Sequence, residues 1–294
     1  MKIKTFANIL QNKKQNTLND YFCPMKAFRS FVLAVCVSAI ISCNDSDANG
    51  NIDAPASSAP LLSYTVAGTY PHDTSAFTQG FAFYEGKLYE GTGMTGESRL
   101  MELDLNSGKI SRQVELDSTF FGEGVTILND TLYQLTWQNK VVLVYSVSDL
   151  KKIKEFPINT EGWGITNDST HLIVSDGTSN LYFYDPSTFR LMRTQGVTEA
   201  GTPSYNINEL EYINGYIYAN QWQSNYILKI DPNSGQVVGK FDLSQVVDRL
   251  KAKYPGMDTE QSATLNGIAY NPQTNKIYVT GKYWPETYEI QFEH

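Results

Sequence analysis

A period restricts what this chain can fold into more than any other feature. Aligned on their apolar alternation, five units of one design follow each other: GFAFYEGKLYEGTG from Gly80, GVTILNDTLYQLTW from Gly124, GITNDSTHLIVSDG from Gly164, ELEYINGYIYANQW from Glu209 and GIAYNPQTNKIYVTGK from Gly267. Each alternates, reverses at a turn and alternates again, the pattern of a β-hairpin. The reversals EG, ND, DST, NG and PQTN are rich in residue types that tolerate positive φ at a tight turn. A third strand and a further turn follow each hairpin (LMELDLNSGKI, VLVYSVSDLKKI, LYFYDPSTFRLM, ILKIDPNSGQVV and a final TYEIQF), and a fourth short strand leads into the next unit. Unit starts lie 44, 40, 45 and 58 residues apart, the size of a four-stranded propeller blade. The expected fold class is all-β, a five-bladed β-propeller. A sandwich of similar hairpins is the rival architecture, but a sandwich does not require a period.

The last interval is long because Leu243 to Thr264 is inserted, and Leu243, Val246, Val247 and Leu250 stand at helical spacing. A short helix over one face is expected there. The strand Leu61 to Tyr70 precedes the first hairpin and has no blade of its own. It is expected to complete the fifth blade and close the ring, which removes exposed sheet edges. The propeller domain accordingly spans 61–294.

Ahead of it, Met25 opens a stretch with Lys26 and Arg29, an apolar run of about a dozen residues and then Ser42-Cys43, the layout of a secretory signal peptide. Such a run is too short to span a membrane. Ile40-Ile41-Ser42-Cys43 resembles a bacterial lipobox, which makes Cys43 a lipid anchor. The alternative is an ordinary signal peptide cleaved nearby. Residues 1–42 are thus expected to be an upstream extension and signal peptide with the true start at Met25, and 43–60 the anchor and a flexible tether. The expected location is the cell envelope, as an exported lipoprotein. Cys23 and Cys36 lie at or before the signal, so the mature domain has no cysteine to pair. Removing residues 1–42 leaves 17 basic and 30 acidic side chains, a balance near −13. That charge argues against nucleic acid as partner, and against membrane contact other than through the anchor.

Why should Glu123 stand between two glycines, Gly122 and Gly124, at a strand start that has no structural need of a carboxylate? In a propeller the innermost strand of each blade begins at one rim of the central channel. The residues just before the five register positions are Gln79, Glu123, Trp163, Asn208 and Asn266, with Phe77 and Phe121 two residues ahead of the first two. Thirteen residues after the register position, or fifteen in the last unit, come Gly93, Trp137, Gly177, Trp222 and Lys282. If both rings face one pocket, it is an aromatic box holding one carboxylate, one ammonium and several amides, the make-up of a small-ligand site. Each member also has an ordinary structural role open to it: packing for the tryptophans, turn capping for Asn208 and Asn266, solvation for Lys282. Glu123 is hardest to explain that way, since a buried carboxylate needs a partner. Glu161 of EGWG competes for its role.

Other chemistries are poorly supplied. His72 and His171 stand alone and His294 ends the chain, so a histidine-based zinc site or a Ser-His-Asp triad has little to draw on. No glycine-rich phosphate loop precedes a helix. DPNSG at Asp231 to Gly235 hints at calcium, yet it matches the DLNSG and DPSTF turns of other units. No metal and no cofactor is expected.

The segments HDTSAFTQGF, YEGTG, FGEGVTILNDTLYQLTW, EGWGIT, SDGTSNL, NELEYINGYIYANQWQ and LNGIAYN...IYVTGKYWP, from about Tyr70 to Ile290, resemble the plant and bacterial, papaya-type glutaminyl-peptide cyclotransferases. The resemblance implies a five-bladed propeller, unrelated in fold to the zinc-dependent animal enzymes of the same activity. It implies conversion of N-terminal glutamine to pyroglutamate with release of ammonia, on peptide or protein partners; a monomer is expected. Matched motif by motif, it implies a pocket of Phe77, Gln79, Phe121, Glu123, Trp137, Trp163, Asn208, Trp222 and Lys282. The expected catalytic set is Glu123, Lys282, Asn208 and Gln79, with Phe77, Phe121, Trp137, Trp163, Trp222 and Asn266 binding substrate. Tyr283, Asn225 and Thr74 depart from the family pattern and bear on peptide preference. The alternative is a non-catalytic lipoprotein whose pocket binds peptide N-termini or another small ligand; a propeller lactonase would need several carboxylates around a channel metal.

Overall fold

The structure, a computed structural model, describes residues 57–259 and 262–292. The expected signal peptide, the Cys43 anchor and most of the tether lie outside the described residues, as do Glu260 and Gln261 of the insertion.

The chain enters through β1 (Tyr64–Pro71) and lays down the first blade as β2 (Thr78–Tyr84), β3 (Lys87–Thr92), β4 (Arg99–Asp104) and β5 (Lys109–Glu115). The second blade is β6 (Gly122–Leu128), β7 (Thr131–Thr136), β8 (Val141–Ser146) and β9 (Lys152–Pro157). The third is β10 (Ile165–Asn167), β11 (Leu172–Ser175), β12 (Asn180–Tyr184) and β13 (Leu191–Gly196), followed by a small hairpin of β14 (Thr198–Glu199) and β15 (Thr202–Pro203). The fourth is β16 (Ile207–Ile213), β17 (Tyr216–Gln221), β18 (Tyr226–Ile230) and β19 (Val237–Asp242). After helix α1 (Ser244–Lys253), the last blade is built from β20 (Leu265–Asn271), β21 (Lys276–Gly281), β22 (Glu286–Phe292) and, as its outermost strand, β1. The five blades and the N-terminal closing strand are as expected. The β1–β22 register runs from Tyr64 opposite Phe292 to Pro71 opposite Glu286.

The reversals have the backbone that their residues allow. Glu85-Gly86 (φ 47° and 80°), Asn129-Asp130 (50° and 56°) and Asn214-Gly215 (50° and 90°) are left-handed at both positions, as a two-residue hairpin that follows strand twist requires. The Asp104, Asp185 and Asp231 turns are alike: each carboxylate accepts a backbone N–H of its own turn, at 2.8, 3.0 and 2.8 Å. The DPNSG segment is therefore a strand-connecting turn, as its match to the other units indicated.

Burial grades outward. β6 is buried throughout, whereas β5, β9 and β13 are largely exposed. The apolar residues form a core at every blade boundary; Leu100 and Leu132 meet between the first two blades, Phe183 and Leu228 between the third and fourth. The helix buries Val246, Val247 and Leu250 into the boundary of the last two blades, beside Trp284. His72, just past the closing strand, is a buried brace. Its Nδ1 donates to the Trp284 carbonyl at 2.6 Å and its Nε2 faces Glu90 Oε1 at 3.2 Å, an oxygen that also accepts the Thr78 hydroxyl at 2.7 Å.

At the axis the inner strands touch backbone to backbone. A Cβ on Gly80 would stand 2.2 Å from the Val125 nitrogen, and one on Gly164 2.1 Å from the Asn208 carbonyl oxygen. Nothing but glycine fits there unless the strands part. Overpacking of this kind costs about 1–3 kcal/mol. Gly164→Ala is expected to lower unfolding free energy by at least that amount, measured by urea denaturation, with Gly196→Ala, whose Cβ meets nothing within 4 Å, as the near-neutral reference.

Candidate active site

The first ring of residues owes its position to broken strand pairing. The β2–β3 register shifts between Thr78 and Gly80, the β6–β7 register between Gly122 and Val125, the β16–β17 register between Ile207 and Leu210, and the β20–β21 register between Leu265 and Ile268. Each bulge takes Gln79, Glu123, Asn208 or Asn266 out of the ladder, and re-aiming a side chain is what bulges do beside functional sites. The second ring is set by one repeated bond. The backbone N–H groups of Gly93, Trp137, Trp222 and Lys282 donate to the carbonyls of Phe77, Phe121, Asn206 and Thr264, each two residues before a first-ring position, at 2.8, 3.0, 2.8 and 2.9 Å. Both rings therefore occupy one rim, as the spacing predicts. The third blade departs from the rule: β10 is short, and the Trp163 N–H goes to the Ser175 carbonyl at 3.0 Å.

The floor of the site is polar and buried. Glu123 is 4% exposed, Lys282 6% and Asn266 0%. Asn266 Nδ2 donates to the Thr78 carbonyl at 2.9 Å and to Gln79 Oε1 at 3.2 Å. That holds the Gln79 amide, which favours the ionised form of the Glu123 carboxyl. Lys282 is buried rather than solvated, with its Nζ 4.4 Å from the centre of the Phe77 ring, a cation–π contact. Glu123 Oε2, Asn208 Oδ1 and Asn266 Oδ1 are buried without a hydrogen-bond partner among the described residues.

Burial pushes the Glu123 carboxyl well above the usual carboxylate range; Lys282 draws it back, Glu161 pushes it further up, and the Gln79 bond lowers it. Burial likewise lowers Lys282 to about 8, against the pull of Glu123. Desolvation outweighs the attraction of the opposite charge in both groups.

Above the floor stands an arc of rings meeting edge to face, Phe121 buried and the others half-buried. Tyr283 and Phe77 have centroids 5.2 Å apart, Phe77 and Phe121 6.0 Å, Phe121 and Trp137 5.6 Å, and Trp163 and Trp222 5.6 Å. Glu161 joins the two halves: its Oε2 accepts Trp137 Nε1–H at 2.8 Å and Trp163 Nε1–H at 3.3 Å. Instead of rivalling Glu123 on the floor, Glu161 is a clasp between two walls. The two second-ring glycines make room for the rings, since a Cβ on Gly93 would meet Phe121 at 2.5 Å and one on Gly177 would meet Trp163 at 2.6 Å. Sequence spacing missed the part that Glu161 and Tyr283 play in this wall. Tyr283 had a signal, because it departs from the pattern beside Lys282.

Fold and site together define a five-bladed propeller class with a buried carboxyl and ammonium beneath aromatic rings at one rim of the channel. The family model for glutamine cyclotransferase matches residues 32–292. A glutaminyl-peptide cyclotransferase of Arabidopsis thaliana is 39% identical over 232 residues, 78% of this chain and 71% of the plant protein. The crystal structure of Myxococcus xanthus glutaminyl cyclase aligns with a TM-score of 0.74 at 35% identity, over 80% of this chain and 98% of that one. The chain belongs to the glutamine cyclotransferase family.

Losing the clasp should free both indoles while leaving the floor intact. Hydrogen bonds to a charged group contribute about 1.5–3 kcal/mol, so Glu161→Ala is expected to raise KM for a Gln-led peptide roughly tenfold or more, with kcat changed less. Steady-state kinetics check this; an unchanged KM would show that the two indoles keep their places without it.

Proposed function

We propose that the chain cyclises the N-terminal glutamine of peptides and proteins to pyroglutamate with release of ammonia, without a metal, and with Glu123 as the proton shuttle. The observation that carries this is the Glu123 carboxyl itself, buried, with Oε2 unpartnered, beside Lys282 and beneath the aromatic arc.

The reaction is intramolecular. The α-amine attacks the γ-carbonyl carbon of the same residue, a C–N bond forms, the original amide C–N bond breaks, and its nitrogen leaves as ammonia. The barrier lies in folding the side chain back, moving one proton and stabilising an oxyanion. Phe77, Phe121, Trp137, Trp163 and Trp222 suit the first task, since their walls would hold the aliphatic part curled and keep out the water that would hydrolyse the amide. The unpartnered oxygens suit a substrate that offers N–H donors from both its amine and its amide. An α-amine has a pKa of about 8, so a useful fraction is neutral and ready to attack. Glu123 takes a proton from the attacking amine and gives it to the departing nitrogen. Lys282 and the Asn208 amide supply N–H donors for the oxygen that becomes negative, and Gln79 holds Glu123 in place.

Such proton transfer is worth roughly 10² to 10⁴ in rate, and that is the kcat loss expected of Glu123→Gln. Ammonia release and the accompanying mass loss from a synthetic Gln-led peptide measure it, with and without a strong chelator. Chelator-resistant turnover by the wild type and its collapse in Glu123→Gln are expected. Wild-type turnover in the variant would remove the shuttle, and a folded wild type with no turnover would make the pocket a binding site.

Glu123 must be ionised to accept the proton, so kcat should climb as pH rises through its elevated pKa. Lys282 favours the ionised form, hence Lys282→Met should move this acid limb of the kcat profile to higher pH. A limb that stays in place would separate the two charges.

A further inference from the structure

One buried group in the channel has no part in the floor or the roof. Glu209 holds the register position that glycine holds in the other four units, and it is 0% exposed. The bulge in β16 between Ile207 and Leu210 takes both Asn208 and Glu209 off the ladder. Asn208 joins the floor, and Glu209 enters the channel one residue deeper.

There its carboxyl spans three blades. Oε1 accepts the Phe81 N–H at 3.2 Å and Oε2 the Ile268 N–H at 2.9 Å. These amides belong to β2 and β20 and lie just past the bulges that set Gln79 and Asn266. Inner strands have one edge without a strand partner, so these N–H groups depend on a side chain to satisfy them. Asn266 holds Gln79 across the same boundary, and Gln79 favours the ionised form of Glu123. The first of those contacts, at 3.2 Å, has little slack before it ceases to be a hydrogen bond.

We infer that Glu209 is a positioning residue for the cyclisation: it ties the first and last blades to the fourth at the separation that keeps Asn266 on Gln79 and Gln79 on Glu123. It touches no substrate and acts through the floor. The inference rests on Glu123 being the shuttle.

Glu211 provides the comparison. It lies two residues further along β16, and its Oε1 accepts the Tyr270 N–H at 2.9 Å while its Oε2 accepts the Thr166 hydroxyl at 3.3 Å. It does the same kind of bonding but braces no bulge that carries a floor residue. Loss of either carboxylate should lower Tm; only loss of Glu209 should disturb the chemistry.

The experiment measures Tm, kcat and KM on a Gln-led peptide for the wild type, Glu209→Gln, Glu209→Asp and Glu211→Gln, each assayed at the same interval below its own Tm. Glu209→Gln turns an amide NH₂ towards a backbone N–H, and displacement of about 1 Å at a reacting centre can cost 10²-fold. Its kcat is expected to fall 10- to 100-fold with KM within about twofold, because the aromatic walls are untouched. Glu211→Gln is expected to lose stability and keep kcat within about twofold. If Glu209→Gln fails to fold, Glu209→Asp, which keeps the charge and shortens the reach, is expected to show the same kcat-selective loss. A Glu209 variant that keeps wild-type kcat, or loses no more than Glu211→Gln does, overturns the inference. Glu123→Gln run alongside separates the two claims: if it loses turnover while the Glu209 variants keep theirs, only the positioning role fails, and if it keeps turnover the shuttle itself fails.

Discussion

The narrowness of the channel governs the rest of the structure. Five inner strands converge so closely that neighbouring backbones touch, and each brings an edge of N–H groups that no strand can pair. Glycine at the register position answers the first difficulty. Short polar side chains and neighbouring backbone answer the second: Asn220 Oδ1 accepts the Gly267 N–H at 2.8 Å, Ser175 Oγ accepts the Gly164 N–H at 2.8 Å, and the backbone carbonyl of Trp163 accepts the Gly124 N–H at 2.8 Å. A buried backbone group left unpaired costs as much as a lost hydrogen bond, so the polar residues at the axis are needed by the fold before they are useful to chemistry.

Three carboxyl groups share this channel, and their neighbours divide the work between them. Burial raises Glu123, Glu209 and Glu211 alike, the last to about 8. Glu209 spends both oxygens on backbone N–H groups of other blades, and Glu211 spends one on the Tyr270 N–H and the other on the Thr166 hydroxyl. Glu123 alone keeps an oxygen unpartnered and has a cation beside it. The unpartnered oxygen thus belongs to the carboxyl at the rim. The aromatic arc adds a dry wall, which makes each charge on the floor act over a lower local dielectric.

Much of this was legible in the sequence because it depends on periodicity and local turn chemistry. Asn129-Asp130 and Asn214-Gly215 announce left-handed turns in any context, and Val246, Val247 and Leu250 announce a helix. The two rings were legible for the same reason: a fixed offset from the register position becomes a fixed height along the axis. What the sequence concealed are contacts between units. Glu161 follows Trp137 by 24 residues, and nothing in that interval says that its carboxylate will bridge two indoles. Glu209 stands out as a missing glycine, but its partners, Phe81 and Ile268, lie on strands of two other blades. Asn266 was expected to bind substrate, and its amide nitrogen is committed to Thr78 and Gln79; only its oxygen faces the site unpartnered. The third blade broke the spacing rule because its inner strand is too short to carry a bulge.

The closing strand ties structure to time. Among the described residues β1 precedes every other strand, and its one strand partner there, β22, ends at Phe292. A chain made from its N-terminus must therefore hold an unpaired edge strand until β22 emerges. Pairing across such a sequence separation is slow, because the loop must be closed before any contact rewards it. Until then β1 is open to pairing with another chain. The same bond that seals the finished ring makes its assembly all-or-none at the last step, so a chain cut short by even its last strand would retain most of its blades and never acquire a ring.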